Sequence, residues 1–170
     1  MNTIKRWISF LTAVILIVLL LYKFVFFVVV VPSASMYPAI EIGDRIITSR
    51  IHNYSSIERG DILVFYSEEF RETMIKRVIG LPDDLVEINK NGEVFVNNKK
   101  LDEPYVKYPD NLSGSFSVPE GKYFFLGDFR IHSMDSRKWK EPFISEDKIL
   151  GKAKLIIFPL DRIKIINSEE

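Results

Sequence analysis

The feature that most constrains this chain is a long apolar segment near its start. In the 25 residues from Trp7 to Val31, only Ser9, Thr12 and Lys23 are strongly polar. A helix needs about 20 apolar residues to cross the hydrocarbon core of a bilayer. The segment is therefore long enough to span a membrane, and a lipid bilayer is an expected partner of the chain.

The apolar segment divides into two parts by residue type. Its first part is rich in Leu, Ile and Ala, whereas Phe24 to Val31 contains only Phe and Val. Leu and Ala favour helix, and aromatic and β-branched residues favour strand. We predict a transmembrane helix from about Ile4 to Lys23 that runs almost directly into a β-strand, with Trp7 and Tyr22 at the two membrane interfaces.

A cleaved signal peptide is the alternative interpretation of this segment. Lys5 and Arg6 form a basic start, and Ser33-Ala34-Ser35 has the small residues of a cleavage site. The apolar part of a signal peptide is usually about 7–15 residues long, however, and this one is much longer. A retained anchor is therefore favoured.

The basic residues before the helix also predict its orientation. They favour a cytoplasmic N-terminus and an extracytoplasmic remainder, in the cell membrane with a single pass. Arg45 and Arg50 on the other flank weaken this asymmetry.

Composition excludes several classes of function. The 170 residues contain 23 Lys and Arg and 23 Asp and Glu, so the formal net charge is zero. A balanced chain without a basic block argues against a nucleic-acid partner. The absence of cysteine excludes disulfides, thiolate metal sites and a cysteine nucleophile, and two histidines disfavour a multi-histidine metal site. We expect no metal and no cofactor.

From Pro32 onward the sequence has the pattern of short strands. Runs rich in β-branched and aromatic residues alternate with Gly, Pro, Asn and Asp. These runs are Arg45–Ile51, Asp61–Tyr66, Met74–Leu81, Leu85–Asn89, Glu93–Asn97, Tyr123–Leu126 and Lys152–Phe158. The predicted fold class is mostly β, an antiparallel β-domain with a small β-lobe, preceded by one N-terminal transmembrane helix. We assign residues 1–23 to the cytoplasmic tail and anchor and residues 24–170 to an extracytoplasmic β catalytic domain, with the smaller lobe or flap at about 85–119.

Three local predictions refine this picture. Asn91-Gly92 lies between two strand runs and predicts a type I′ hairpin turn. The segment from Asp102 to Pro119 is rich in Pro and Ser and predicts an exposed excursion. Residues Ser145 to Ile149 fit one helical turn with Ser145 as its cap.

Four segments carry the chemical signal. They are PSASMYPAI at Pro32–Ile40, RGDILVF at Arg59–Phe65, IKRVIGLPDD at Ile75–Asp84 and GDFRIHSMDSR at Gly127–Arg137. In this order and behind an N-terminal anchor, they resemble the bacterial type I signal peptidases across nearly the whole chain. Each segment alone is weak evidence, whereas all four in order are specific.

The resemblance implies a role for each matching residue. Ser35 matches the nucleophile and Lys76 the general base of a Ser-Lys dyad. Ser33 matches a side-chain donor to the oxyanion, and Ser133 matches a hydroxyl that orients the lysine. The remaining matches are a structural ion pair, Asp135 and Arg137, and shallow substrate pockets for small side chains, Val31, Pro32, Met74 and Ile75.

The residues themselves leave the identity of the base open. A serine hydroxyl needs a base to attack a carbonyl. His52 lies in a polar stretch, whereas His132 is near Asp135, so a Ser-His-Asp arrangement is conceivable. The chain has no G-x-S-x-G motif. Ser-Lys is the other known variant.

A lysine base must be neutral, and its surroundings bear on this. Free lysine has a pKa of about 10.4, so work near pH 8 needs a fall of roughly 2 units. Desolvation can produce such a fall. On a strand, Met74 and Val78 share a face with Lys76, while the cationic Arg77 points away from it.

The chain departs from the family pattern at several positions. Pro82-Asp83-Asp84 stands where the family usually has P-G-D, and Phe129 stands where the third residue of G-D-N-R is usual. Ala39 replaces a frequent threonine, and Lys140 replaces a frequent glycine. These changes bear on rate and substrate preference, because the nucleophile and the base are both retained.

The sequence therefore predicts a membrane-anchored serine endopeptidase that cleaves N-terminal signal peptides from exported preproteins. Its expected partners are the signal peptides of those preproteins and the bilayer. Two alternatives are a catalytically weak or silent membrane-anchored β-module that binds partners, and a Ser-His hydrolase that uses His132.

Overall fold

The structure, a computed structural model, describes residues 3–167 and begins with one long helix. Helix α1 spans Thr3–Phe24, and none of its side chains is buried. Its length and apolar composition make it a candidate membrane span. A single residue, Val25, separates the end of the helix from strand β1 at Phe26–Val30. The predicted helix and the adjoining strand are both present.

The rest of the chain forms two antiparallel sheets, which agrees with the predicted fold class. The main sheet has the strand order β1-β2-β11-β3-β4-β9-β10, with β12 paired to β11. Besides β1, its strands are β2 (Arg45–Arg50), β3 (Ile62–Ser67), β4 (Glu72–Gly80), β9 (Lys122–Leu126), β10 (Phe143–Ser145), β11 (Ile149–Phe158) and β12 (Lys164–Ile165).

The second sheet forms the smaller lobe. Its order is β7-β6-β5-β8, and its strands are β5 (Leu85–Ile88), β6 (Val94–Val96), β7 (Lys99–Lys100) and β8 (Gly114–Ser117). Apolar residues of this sheet, such as Val86 and Val94, share a buried cluster with Phe124 and Leu126 of β9. The lobe therefore packs against the main sheet.

The main sheet is buried on both faces in its centre. Alternate residues of β3 belong to different apolar clusters: Ile62 and Val64 lie in one, and Leu63 and Phe65 lie in the other. This follows from the two-residue period of a strand. Strand β4 lies beside β3, so its residues are held rigidly between two cores.

The hairpin predicted around Asn91-Gly92 is present, because β5 pairs with β6, but the predicted type I′ turn is wrong. Gly92 has a φ of 76°, but Asn91 is not among the residues with positive φ, as a type I′ turn requires. Instead, the Gly92 N–H donates to the Asn89 carbonyl at 3.0 Å, which gives a three-residue loop with a glycine bulge. The Asn89 side chain favours this longer loop, because its Oδ1 accepts the N–H groups of Asn91 and Glu93.

A two-residue turn with positive φ at both positions lies instead between β6 and β7. Asn97 and Asn98 have φ values of 51° and 64°, and Val96 pairs with Lys99. Asn is one of the few residues that tolerate this conformation. Asp83 also adopts a positive φ of 68°, so the aspartate that replaces the usual glycine takes the left-handed conformation itself.

The expected excursion from Asp102 to Pro119 is partly wrong, because it contains strand β8. This strand, with the sequence GSFS, pairs with β5 through four residue pairs. The small and polar residues of this strand do not predict a strand from the sequence, because its stability comes from backbone hydrogen bonds to β5. Near Ser145, Glu146–Lys148 forms a single 3₁₀ turn, and the Ser145 side chain makes no capping hydrogen bond.

Candidate active site

A groove of about 730 Å³ runs between the loop after β1 and the first half of β4. Its β4 wall is formed by Glu72 to Lys76, which pair with β3 on one side. Strand β9 pairs with β4 only from Arg77 onward, and β1 is the outer strand of the sheet. All four residues predicted to form substrate pockets line this groove: Val31, Pro32, Met74 and Ile75.

Ser35 lies in a loop that is fixed by backbone hydrogen bonds. The N–H of Phe129 donates to the Ser35 carbonyl at 3.0 Å, and the N–H of Tyr37 donates to the Ala34 carbonyl at 3.0 Å. Ser35 is buried, and its neighbour Met36 is fully enclosed in an apolar cluster. The hydroxyl is therefore held in one place at the groove.

Lys76 reaches this hydroxyl from β4. Its Nζ donates to Ser35 Oγ across 2.6 Å, and only 4% of the residue is exposed. Its directly opposite partner on β3 is Leu63, and Met74 and Val78 contribute to the same apolar cluster as Leu63. The structure thus brings together two residues that the sequence separates by 41 positions.

This setting lowers the pKa of Lys76 to about 8. Burial is the largest cause, because the charged form loses its hydration. Three carboxylates oppose the shift and raise the pKa, in the order Asp135, Glu72 and Asp128. The net effect leaves a useful fraction of neutral amine at mildly alkaline pH, which is the form that accepts a proton.

Two donors lie close to Ser35 Oγ. The Ser33 hydroxyl is exposed and 3.4 Å from Ser35 Oγ. The backbone N–H of Ser35 itself donates to no group among residues 3–167. The Ser33 hydroxyl shares a long hydrogen bond with Ser35 Oγ, so both donors lie within reach of an oxygen that binds beside Ser35.

Ser133 approaches the pair but does not hydrogen-bond to the lysine. Its hydroxyl is buried and makes no hydrogen bond of good geometry within the described part of the chain, although it lies near enough to Asp135 to help lower the pKa of that carboxyl. It lies against Gly127, where a Cβ would overlap the Ser133 side chain and lie 2.5 Å from the Ser35 carbonyl oxygen. Only glycine permits this approach of the two serine segments.

Asp135 and Arg137 form a bidentate ion pair close to the segment that carries Ser133. Arg137 Nε and Nη2 each donate to an Asp135 oxygen at 2.8 Å, and Asp135 is fully buried. Burial favours a higher pKa for Asp135, but the Arg137 guanidinium and the Gly127 N–H outweigh it and lower the pKa. The carboxylate therefore stays charged and fixes the start of the Gly127 loop through a 3.1 Å hydrogen bond.

Neither histidine is placed as a base for Ser35. His132 lines the groove but is exposed, and its ring packs edge-on against Phe129 at 4.8 Å. Within residues 3–167, no hydrogen bond joins His132 to Ser35. His52 instead bonds the Phe24 carbonyl at the end of α1, with its Nε2 at 2.8 Å.

Sequence reasoning missed a second buried ion pair. Arg77 Nε and Nη2 lie 2.9 and 2.8 Å from the two oxygens of Asp128, and both side chains are at most 1% exposed. The Tyr105 ring covers the guanidinium at 3.7 Å. The strand pattern placed Arg77 on the face away from Lys76, but nothing in it indicated complete burial.

The described residues contain no cluster of three or more His, Asp or Glu side chains positioned to hold a metal ion. What the groove does contain is a hydroxyl hydrogen-bonded to a buried lysine with a lowered pKa, and two donors beside that hydroxyl. This set of groups can add serine to a carbonyl, protonate a leaving amine and stabilise an oxyanion.

Comparison with known proteins adds an independent finding. Residues 4–158 match the family described as "Signal peptidase, peptidase S26". The chain is 37% identical to a signal peptidase I of Bacillus amyloliquefaciens, over 93% of this chain and 87% of the relative. It is 35% identical to signal peptidase I T of Bacillus subtilis, over 96% of this chain and 90% of the relative. The crystal structure of a signal peptidase I from Enterococcus faecalis superposes with a TM-score of 0.50 and 30% identity, covering 57% of this chain and 96% of that one.

Proposed function

The chain belongs to the peptidase S26 family of signal peptidases, enzymes that cleave signal peptides, and on that premise we propose that it is a membrane-anchored serine endopeptidase working through Ser35 and Lys76. Its substrates are exported preproteins that carry an N-terminal signal peptide. The observation that carries the proposal is the 2.6 Å contact between Lys76 Nζ and Ser35 Oγ in an apolar groove.

The dyad accounts for both halves of the reaction. Neutral Lys76 takes the proton from Ser35 Oγ as the oxygen attacks the scissile carbonyl. The resulting ammonium gives that proton to the departing amine, which leaves an ester on Ser35. The neutral amine then activates water against the ester, which releases the signal peptide and restores the serine.

The oxyanion has two candidate donors. As the carbonyl becomes tetrahedral, its oxygen gains negative charge. The Ser35 N–H donates to it, and so does the Ser33 hydroxyl, which exchanges its long hydrogen bond with Ser35 Oγ for one to the oxyanion. Removing one such donor typically slows a serine peptidase by about 100- to 1000-fold.

The groove suits an extended substrate. The outer edge of β1 and the Glu72–Lys76 part of β4 leave backbone groups for an added strand. Val31 and Ile75 are nearly fully enclosed by the surrounding core, so pockets beside them are shallow. They accept small side chains at the residue before the cut and two residues before that.

The shallow pockets make a direct prediction about preproteins. Replacing Ala by Phe at the residue before the cut overpacks a rigid wall, which costs about 1–3 kcal/mol. Cleavage should fall by at least about fivefold, as measured by kcat/KM on matched substrates. Equal rates for the Ala and Phe substrates would exclude pockets of this shape.

Anchoring fits the same function. Helix α1 brings the enzyme into the plane of the membrane in which its substrates arrive. We propose that residues 1–23 are the cytoplasmic tail and anchor and that residues 24–170 form the extracytoplasmic catalytic domain, in the cell membrane. The Ser-His hydrolase and the silent binding module remain alternatives without an observation that favours them.

The proposal is tested with the detergent-solubilised full chain and a preprotein. Wild type should release the signal peptide, and Ser35→Ala should be slower by more than about 1000-fold, because loss of a serine nucleophile costs up to about a million-fold. Ser113→Ala, in an exposed loop, is the matched control and should cleave normally. An active Ser35→Ala enzyme would overturn the proposal.

A further inference from the structure

Among residues 3–167, Glu72 is the one carboxylate that lines the groove. It lies at the start of β4 and is exposed. Within residues 3–167 it forms no ion pair and no side-chain hydrogen bond. Its charge is therefore available to whatever occupies the groove.

The neighbouring acidic residues are already engaged. Glu68 pairs with Lys148 Nζ at 2.7 Å, and Glu69 accepts the Lys140 backbone N–H at 3.1 Å. Neither lines the groove. The titratable side chains on the groove wall are thus Glu72, Lys76 and His132.

The position of Glu72 fixes which part of a substrate it meets. The groove extends from Lys76 toward the start of β4 and does not continue past Lys76 along that strand. Glu72 lies four residues from Lys76, a distance of about 13 Å on a strand. Met74 and Ile75, which line the proposed pockets for residues before the cut, lie between them. Glu72 therefore faces the signal-peptide side of an extended substrate, roughly at the fourth to sixth residue before the cut.

We propose that Glu72 is a specificity-determining residue that favours a basic side chain, and disfavours an acidic one, at roughly the fourth to sixth substrate residue before the cut. The inference rests on the proposed function, because it assumes that the groove binds the end of a signal peptide. It adds a charge preference to the size preference of the pockets.

The electrostatics of the groove support this assignment. The negative charge of Glu72 acts along the β4 wall of the groove and raises the pKa of Lys76 against the effect of burial. A charge that influences a lysine four residues away also acts on a substrate side chain lying between or beside them. Exposed ion pairs contribute about 0.2–1 kcal/mol, so attraction or repulsion each changes rates by up to about fivefold.

The test uses three preproteins that differ only at the fifth residue before the cut, which is Lys, Gln or Glu. With detergent-solubilised full chain, kcat/KM should be highest for Lys and lowest for Glu, a difference of about two- to twenty-five-fold. Glu72→Lys should reverse the order. Because each enzyme is compared across substrates, any effect on Lys76 itself cancels. Glu120→Lys, an exposed acid outside the groove, should keep the wild-type order.

Salt gives a second reading of the same preference. At 1 M salt the screening length falls to about 3 Å, so the order of the three substrates should collapse in wild type. Equal kcat/KM for all three substrates at low salt, or an unchanged order in Glu72→Lys, would overturn the inference while leaving the enzyme a signal peptidase. Failure of wild type to cut any of the three would instead overturn the proposed function.

Discussion

Burial has the largest effect on the pKa of Lys76 and lowers it, whereas three nearby carboxylates raise it. The folded-state pKa of about 8 lies below the ordinary value of 10.5. Between these values the unfolded chain binds more protons, so stability rises with pH across this window. Below about pH 8 the buried lysine must be charged, which costs folding free energy. The burial that lowers the pKa of Lys76 therefore reduces the stability of the folded chain below about pH 8.

Gly127 is the residue whose size matters most beside the dyad. A Cβ there would overlap Ser133 and lie 2.5 Å from the Ser35 carbonyl oxygen, where the backbone cannot give way. We expect Gly127→Ala to lower stability by about 1–3 kcal/mol and to reduce cleavage at least about 100-fold, since small displacements at a catalytic site are costly. Thermal unfolding and kcat/KM of the solubilised chain measure the two effects.

The matched control is Gly121→Ala. Gly121 has a φ of 67°, but the nearest atom to an added Cβ is 3.9 Å away, in the Glu146 side chain. This substitution should cost about 1–2 kcal/mol of backbone strain and leave cleavage unchanged. Similar cleavage by the two variants would show that Gly127 has no special role at the site.

At the scale of elements, the Arg77–Asp128 pair connects β4 to the loop after β9. Arg77 directly follows Lys76 in the chain, and Asp128 directly follows Gly127. Arg77 Nη1 also donates to the Gly60 carbonyl at 3.0 Å. The Tyr105 ring packs over the Arg77 guanidinium, so the loop between β7 and β8 also contacts this residue. Three separate segments are thus fixed relative to the dyad by one guanidinium.

Replacing one partner of this pair should lower the free energy of unfolding more than replacing both partners together. Arg77→Met or Asp128→Leu leaves one buried charge without its partner, which costs about 3–5 kcal/mol. The double variant replaces both charges with apolar groups and should lose clearly less than the sum. Chemical unfolding of the solubilised chain, followed by Trp139 fluorescence, measures all three. Single losses under about 1 kcal/mol, or full additivity, would contradict this role.

Which elements could be predicted from the sequence depended on where their stability comes from. Strands with runs of Val, Ile and Phe can be predicted from their own residues. For β3 the predicted range Asp61–Tyr66 differs from the observed Ile62–Ser67 by one residue at each end. Strand β8 has one large apolar residue, Phe116, and exists because β5 pairs with it. The Asn89 loop was missed because a side-chain hydrogen bond, rather than the Asn-Gly pair, selects its length.

In the candidate site as well, features set by local sequence could be predicted and features set by tertiary contacts could not. The family resemblance indicated Ser35 and Lys76, and the residues alone left His132 as another base, because a contact across 41 positions is a tertiary property. Alternation on β4 correctly gave Lys76 apolar neighbours. The roles of Gly127 and of the Arg77–Asp128 pair depend on how loops approach each other, and no local pattern contains that information.

At the scale of the whole molecule, the groove begins close to the end of helix α1. Its wall includes Phe27 and the residues from Val29 to Ser35, only a few positions beyond α1. His52 ties the end of the helix to the β-domain through the Phe24 carbonyl. If α1 spans the membrane as proposed, a site so close to its end suits a substrate whose apolar part is still embedded in the bilayer.

This arrangement predicts the topology of the intact protein. With the N-terminus in the cytoplasm, protease added to spheroplasts should degrade the β-domain and leave an N-terminal tag intact. Immunoblotting with tags at both ends measures the outcome, and lysed spheroplasts serve as the control in which both tags are lost. A protected β-domain in intact spheroplasts would reverse the proposed orientation.

The pH dependence of kcat/KM tests the central claim, that Lys76 is the base for Ser35, most directly, because it reports the essential groups of the free enzyme. Wild type and His132→Ala should both rise through an apparent pKa of about 8. Lys76→Arg should be inactive at every pH, since arginine stays protonated up to a pKa above about 12. A rise through about 6.5, the usual value for histidine, that disappears in His132→Ala while Lys76→Arg remains active would contradict the account.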